Sequence, residues 1–312
     1  MDHADHHYSE CLEREQYRRP CRSLLHPLEN RRSNAQFFFS PTFVDYLVNK
    51  VILAGPWDSV ICIGCPTIFE AVHQSRAHKP LSAFLLDYDS RLYSFFSARH
   101  MLIYNMFNGH SFSPKRYFDE TFLATTKNCL VVVDPPFGGL HRALSHSIDT
   151  LFQCKDIQRN LILFNPYFLE RWIVDAFPRL TMLDYKIEYA SQSALHLCRG
   201  KKGSPVRIFT DICPSTFPPL DEMNYKYCLE CNRYTLVTNQ HCFACQACTS
   251  KDGLPYRHCS LCRRCVKAQR VHCTKCNVCH LPNQCMSPTT TTSKRTSHWS
   301  DIEQRRKQSK IN

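Results

Sequence analysis

The sequence predicts an α/β architecture: a doubly wound, mostly parallel sheet followed by a small module of interleaved metal sites. Three observations carry this. Between residues 36 and 222, short apolar runs closed by glycine or aspartate alternate with helical stretches. Twelve of the 20 cysteines fall between Cys228 and Cys285, in CxxC pairs accompanied by histidines. No apolar run is long enough to span a bilayer.

The elements follow in order. Val60-Ile61-Cys62-Ile63 is a strand ending at Gly64, and Ser82 to Leu86 a second ending at Asp87. Leu130 to Val133 is a third, ending at Asp134, and Leu161 to Phe164 a fourth. Ile187 to Ala190 and Val206 to Phe209 are two further candidates, while Pro41 to Ala54 and Arg171 to Phe177 read as helices. Continuous apolar runs suit strands covered on both faces, and alternating β and α implies a doubly wound sheet. Ligands of such sheets bind beyond the carboxyl ends of the strands, so Gly64, Asp87 and Asp134 mark the expected site.

Four regions result. Residues 1–35 are a polar segment with Cys11, Cys21 and His26; residues 36–222 are the α/β domain. Residues 223–285 are the cysteine-rich module, and residues 286–312 a threonine-containing basic tail expected to be disordered. The start, Met1-Asp2-His3-Ala4-Asp5, is unlike a signal peptide, so a soluble intracellular protein is expected. The formal charge of +12 favours an acidic partner, of which nucleic acid is the usual one. Four sites of three thiolates and one imidazole would lower it to about +8.

The strongest single motif is Asp134-Pro135-Pro136-Phe137, entered straight from a strand and followed by Gly138-Gly139. The prolines stiffen the turn and leave the Pro135 carbonyl free of sheet or helix duty. That carbonyl and the Asp134 carboxylate can both accept hydrogen bonds from one amino group, while Phe137 stacks on a flipped base. Catalysis there would be mostly positioning of the amine lone pair toward an electrophilic methyl group. The cofactor half comprises Ile63-Gly64-Cys65-Pro66 as a glycine turn, Asp87 as the ribose acceptor in preference to Asp89, and Asn105-Met106-Phe107 against the adenine. Asn165-Pro166-Tyr167 reads as the loop after the next strand.

In the cysteine-rich block, an HCxxCxxC unit occurs three times, from His241, His258 and His272, after a leading Cys228-x2-Cys231. One unit cannot close a tetrahedral site because its residues point in alternating directions. Interleaving can: Cys228, Cys231, His241 and Cys248; Cys242, Cys245, His258 and Cys265; Cys259, Cys262, His272 and Cys279. A fourth set takes Cys273, Cys276 and Cys285 with His280. Three to four zinc ions are expected, each clipping one repeat to the next. Lys226, Arg233, Lys251, Arg257, Arg263, Arg264, Lys267, Arg270 and Lys275 suit this block to phosphate contact.

The Asp134 run resembles the [DN]PP[FYW] motif of amino-methyltransferases. The ordered combination goes further. It joins Asn105 to Asn108, Asp134 to Leu140, Met182 to Tyr185, Ser204 to Thr210, Asn239 to Cys242 and Cys248 to Gly253. Together, over residues 34–285, these resemble the N6-adenosine methyltransferases of large-subunit ribosomal RNA that contain a CCHC-type zinc finger. The resemblance implies a Rossmann-like class I methyltransferase fold, S-adenosylmethionine as donor and a ribosomal RNA adenosine as acceptor. It also implies a nuclear or nucleolar address with cytoplasm allowed, and ribosome-biogenesis or translation factors as companions. No membrane and no obligate oligomer are expected. The chain departs from the family in three ways. The fingers ahead of the domain are reduced to Cys11, Cys21 and His26, the knuckle after it is missing, and Gln284 stands where the family has a histidine. These departures bear on substrate affinity more than on chemistry. Two other functions compete: amino-methylation of cytosine N4, DNA or a protein amide, and a non-catalytic RNA-binding scaffold.

Overall fold

The computed structural model describes residues 14–28, 36–75, 81–190 and 204–285. Cys11 and the 286–312 tail lie outside the described residues. The described chain divides into two units between Pro255 and Tyr256, a point inside the 223–285 block.

The first unit begins with α1 (Arg14–Arg18), α2 (Pro20–Ser23) and α3 (Pro41–Tyr46). Ser40 caps α3 by accepting the Phe43 N–H, and Pro41 occupies the first turn, where a missing N–H costs nothing. The helix expected over 41–54 continues only to Ile52, and its second half, Leu47–Ile52, is π-helical, with Leu53 N–H donating to Val48 O. Next come β1 (Ser59–Ile63), α4 (Pro66–His73), β2 (Ser82–Asp87), β3 (Met101–Asn105) and the two-residue β4 (His110–Ser111). A π-helical turn, Phe118–Phe122, leads into α5 (Leu123–Thr125). The remainder is β5 (Asn128–Val133), α6 (His141–Leu151), β6 (Gln158–Pro166), α7 (Glu170–Ala176), β7 (Thr181–Met182) and β8 (Val206–Thr210).

These strands form one sheet in the order β4-β3-β2-β1-β5-β6-β8-β7. β3, β2, β1, β5 and β6 are parallel, and β8 runs antiparallel to both β6 and β7. The order reverses at β1. Ile63 is level with Leu86 on one side and Val133 on the other, so Gly64, Asp87 and Asp134 emerge at the same edge. Side chains alternate between the faces. Val60, Cys62, Leu85, Val132 and Phe164 join one core cluster, and Ile61, Ile63, Phe84, Val133 and Leu163 the other.

Two expectations need correction. Ile187–Ala190 is not a strand: its pairing is a single bridge, Phe39 with Tyr189, flanked by Ser40 N–H to Glu188 O and Ala190 N–H to Phe38 O. Ile187 N–H still donates to Val206 O, but Val206 is the first residue of β8, so the antiparallel segment has no sheet edge left beyond it and follows 38–40 instead. Asn165 and Pro166 belong to β6 itself, not to the loop after it. Proline lacks an N–H, and only its carbonyl is needed this close to a strand end. Among the described residues, no helix is long and apolar enough to cross a membrane.

The first unit also contains the start of the cysteine-rich block: β9 (Tyr225–Cys228), β10 (Arg233–Leu236), β11 (His241–Cys242) and β12 (Ala247–Cys248). A buried polar network ties it to the sheet domain. Asp184 accepts from Leu236 N–H (3.1 Å) and Asn239 Nδ2 (2.8 Å). Asn239 also donates to Ser250 O and accepts the Ser250 N–H. Arg207, fully buried on β8, donates to Lys251 O at 3.0 Å. Replacing Asn239 by Ala would leave Asp184 and the Ser250 backbone short of partners. We expect Asn239→Ala to lower unfolding free energy by about 1–3 kcal/mol in urea titration of the zinc-loaded protein.

Candidate active site and metal centres

Gly64 follows β1 with φ of +69°, a conformation that favours glycine. A Cβ there would stand 2.8 Å from Met106 Cε and 2.9 Å from the Asp134 carbonyl oxygen. The position thus has neither the backbone angle nor the space for a side chain. Asp134 N–H donates to Ile63 O at 3.1 Å, so the ends of β1 and β5 are stitched together. Cys65 turns away: its thiol lies in the core, donating to Val132 O and Ile63 O. Only its backbone remains at the turn. Pro66 then opens α4.

Asp87 is buried at the end of β2, and its Oδ1 accepts the Asp89 N–H. Asp89 is committed elsewhere, to the Arg91 guanidinium and Gln36 Nε2. Of the two aspartates, Asp87 is held by backbone N–H groups, those of Asp89 and Tyr88, and not by a side-chain cation. Asn105 ends β3, and its side-chain oxygen accepts the Phe107 N–H. Met106 lies against Gly64, and the Phe107 ring against Gly139, where a Cβ would come within 2.2 Å of it.

Asp134 carries one hydrogen bond from a side chain, the Tyr189 hydroxyl donating to Oδ1 at 3.4 Å. Burial pushes its carboxyl well above the usual range, and the Tyr189 hydroxyl pulls it partly back. Pro135 is buried, Pro136 exposed, and Phe137 half-buried. Phe137 stacks with Phe37 (6.3 Å between centroids, 18° between planes), Phe37 meets Tyr189 at 5.7 Å, and Tyr189 stacks on Phe39 at 5.0 Å. The Asp134 carboxyl therefore sits at an aromatic wall made by three separate segments. Sequence reasoning missed Phe37 and Tyr189. The run Gln36-Phe37-Phe38-Phe39 was a signal for the first, whereas nothing local marked Tyr189.

The cysteine-rich hairpins share one construction. In the second unit they are β13 (Tyr256–Cys259), β14 (Arg264–Lys267), β15 (Val271–Cys273) and β16 (Val278–His280). Each CxxC pair occupies a hairpin turn, and the residue after its second cysteine has positive φ: Asn232, Gln246, Arg263 and Asn277, at 50° to 55°. In each HCxxCxxC unit the histidine pairs across the hairpin with the last cysteine: His241 with Cys248, His258 with Cys265, His272 with Cys279. The CxxC thiols thus serve one centre and the His–Cys pair another, the physical basis of the interleaving.

Within the first unit, Cys228, Cys231, His241 and Cys248 hold their ligand atoms within 4.8 Å of one another. Within the second, Cys259, Cys262, His272 and Cys279 do the same, as do Cys273, Cys276, His280 and Cys285. Cys242 and Cys245 belong to the first unit, His258 and Cys265 to the second. A zinc tetrahedron with Zn–S of about 2.3 Å has edges of about 3.7 Å. The separations match: His241 Nδ1 is 3.6 and 3.2 Å from Cys228 and Cys231 Sγ, and Cys262 Sγ is 3.6 Å from Cys279 Sγ. His280 makes its Nδ1 contact to Leu281 O and leaves a buried Nε2 without a partner, the lone pair a metal requires. Cys21, by contrast, is packed in the core with its N–H on Glu70 Oε1.

A doubly wound sheet with a glycine turn on β1, a carboxylate ending β2 and Asp-Pro-Pro-Phe ending β5 defines a Rossmann-like methyltransferase domain. The family model described as "Probable N6-adenine methyltransferase" matches residues 30–202, and the chain belongs to that family. The chain is also similar to curated proteins named "rRNA N(6)-adenosine-methyltransferase ZCCHC4". The Homo sapiens protein is 35% identical over 268 residues, covering 80% of this chain and 52% of that protein. The Xenopus tropicalis protein is 37% identical over 257 residues (77% and 52%), and the Mus musculus protein 36% over 257 residues (77% and 50%). The chain spans about half the length of these relatives.

The buried carboxyls make stability depend on pH. Burial pushes Asp87 up to about 7, and Glu70 likewise. A carboxyl raised on folding stabilises fully below its unfolded pKa, and that contribution is lost as pH rises through the folded value. The loss begins above the unfolded carboxylate range and is complete a little above pH 7, so the melting temperature of the zinc-loaded protein should fall from pH 6 to about 7.5 and level off beyond. In Asp87→Asn the fall should shrink without vanishing, because Glu70 titrates in the same window.

Proposed function

We propose that this chain transfers a methyl group from S-adenosylmethionine to N6 of an adenosine in ribosomal RNA. The observation that carries the reading is the Asp134-Pro135-Pro136-Phe137 loop held directly against the Gly64 turn. The residues that would hold the cofactor are the positive-φ Gly64 turn with the backbone of Ile63, Cys65 and Pro66, and the Asp87 carboxylate at the end of β2. Asn105, Met106 and Phe107 line the adenine side. When bound, S-adenosylmethionine supplies an electrophilic methyl group.

The chain supplies position. The Asp134 carboxylate and the Pro135 carbonyl accept the two N6 hydrogens, which turns the amine lone pair toward the methyl carbon. Phe137, backed by Phe37 and Tyr189, offers a face on which the flipped base stacks. Pro136 keeps the loop stiff. The amine loses its proton after transfer, so no strong base is needed. The acceptor identity draws its support from the ZCCHC4 relatives, and a nuclear or nucleolar address goes with it.

We further propose zinc as the resident metal of the cysteine-rich hairpins, three to four ions in all. Three of the sets close within a unit and carry this reading. Metal binding supplies the folding energy that two-strand hairpins lack. Chelation at neutral pH should release zinc and unfold residues 256–285, seen as loss of amide-exchange protection there. Residues 59–190 should keep their protection.

Purified zinc-loaded protein, isotope-labelled S-adenosylmethionine and ribosomal RNA, followed by digestion to nucleosides, test the activity. Labelled N6-methyladenosine is expected. Asp134→Ala should lower turnover about 100-fold or more with cofactor binding retained. Label on cytidine would move the acceptor to N4. Absence of cofactor binding would favour a scaffold.

A further inference from the structure

The loop that carries Asp134 continues into an exposed surface with an unusual composition. Leu140, just past Gly138-Gly139, is 75% exposed. Beyond the end of the neighbouring β6, Phe168 and Trp172 are each 61% exposed, although large aromatics are ordinarily covered. Phe168 lies in the 3₁₀ turn Tyr167–Leu169 that leads into α7, and Trp172 lies in the first turn of α7, so the two rings follow one another along one exposed stripe. Arg142, in the first turn of α6, reaches the same stripe by pairing with Asp175, three residues after Trp172, at 2.8 Å. Arg171 holds its guanidinium 5.9 Å from the Trp172 ring centroid.

This stripe is built, not frayed. Tyr167 packs edge-on against Phe168 and lies over the buried Arg207 guanidinium, which also bonds Lys251 O. The backbone under the aromatics is thereby fixed to the sheet and to the first cysteine-rich hairpins. The N-terminus of the eleven-residue α6 opens beside it with no side-chain cap and no acid in its first turn. Its uncapped first turn and the Arg171 guanidinium give the patch a positive edge, Arg142 being offset by Asp175.

We propose that this stripe of Phe168, Trp172 and Arg171, with the α6 N-terminus, docks the single-stranded RNA that flanks the target adenosine. The inference rests on the RNA reading of the Asp134 site. Flat rings beside a guanidinium and an uncapped helix start match bases alternating with phosphates. The surface begins at the loop where the flipped base must enter. A strand leaving that pocket would meet the rings first. A protein partner would use the same rings but not the phosphate-facing edge.

The experiment measures binding of a fluorescent single-stranded RNA of about 20 nucleotides to the full zinc-loaded chain, with cofactor binding measured in parallel. The Phe168→Ala/Trp172→Ala double variant should lose about 10- to 100-fold in affinity with cofactor affinity unchanged. Phe168→Tyr/Trp172→Phe, which keeps stacking faces, should bind as the parent does. Arg171→Ala should weaken binding and make it less sensitive to salt. Equal affinity of the parent and the double-alanine variant would overturn the proposal, as would loss in the stacking-competent pair equal to that in the alanine pair. Ring-dependent RNA binding without labelled N6-methyladenosine would uphold the surface and defeat the methyltransferase reading. Labelled product with ring-independent binding would do the reverse.

Discussion

The close approach of two strand ends underlies the whole site. The end of β5 bonds to the end of β1 through Asp134 N–H and Ile63 O, and the Asp134 carbonyl takes up the space where a side chain at 64 would begin. A glycine at φ +69° is the one residue that allows both. This apposition sets the acceptor loop directly beside the cofactor turn. A slip of one residue in either strand would turn Asp134 toward the opposite face of the sheet.

Around that apposition, carboxyls are buried at a cost. Asp87 and Asp134 are both pushed upward by burial, and neither has a cation as its direct hydrogen-bond partner. Asp89 shows the contrasting arrangement. Burial raises it, but hydrogen bonds from Arg91 and Gln36 outweigh that and hold it below the usual range. Polar groups left without a strong partner in a structured crevice are expected where a ligand completes them.

The cysteine-rich block solves a different problem. Two-strand hairpins bury too little to fold alone, and the residue after each CxxC pair stands in the left-handed region, which adds local strain. The strain recurs at one place, after the second cysteine of each CxxC, where the turn must aim both thiols at a common point. Asn232 and Asn277 suit that backbone region by their own preference, whereas Gln246 and Arg263 are held in it by the needs of the turn. The first hairpins are also held to the sheet domain by Asp184, Asn239 and Arg207. The second unit begins only at Tyr256, well inside what composition alone marks as one block.

The legible part was local. Four of the parallel strands were visible as apolar runs, because a strand buried on both faces must be continuously apolar. β3 was missed because Tyr104 and Asn105 interrupt its pattern, and β4 and β7 because two residues make no pattern. The Asp-Pro-Pro-Phe loop and the alternation within each HCxxCxxC unit were readable because spacing and backbone stiffness act over a few residues. Only the tertiary structure decided that Ile187–Ala190 lies along Phe38–Ser40 and not in the sheet, bringing Tyr189 to Asp134 from 55 residues away. It alone showed that Arg91 and Gln36 claim Asp89, and that Cys65 faces the core. Those outcomes depend on which segments compete for the same edge or the same carboxylate, a competition among distant parts of the chain that no local pattern encodes.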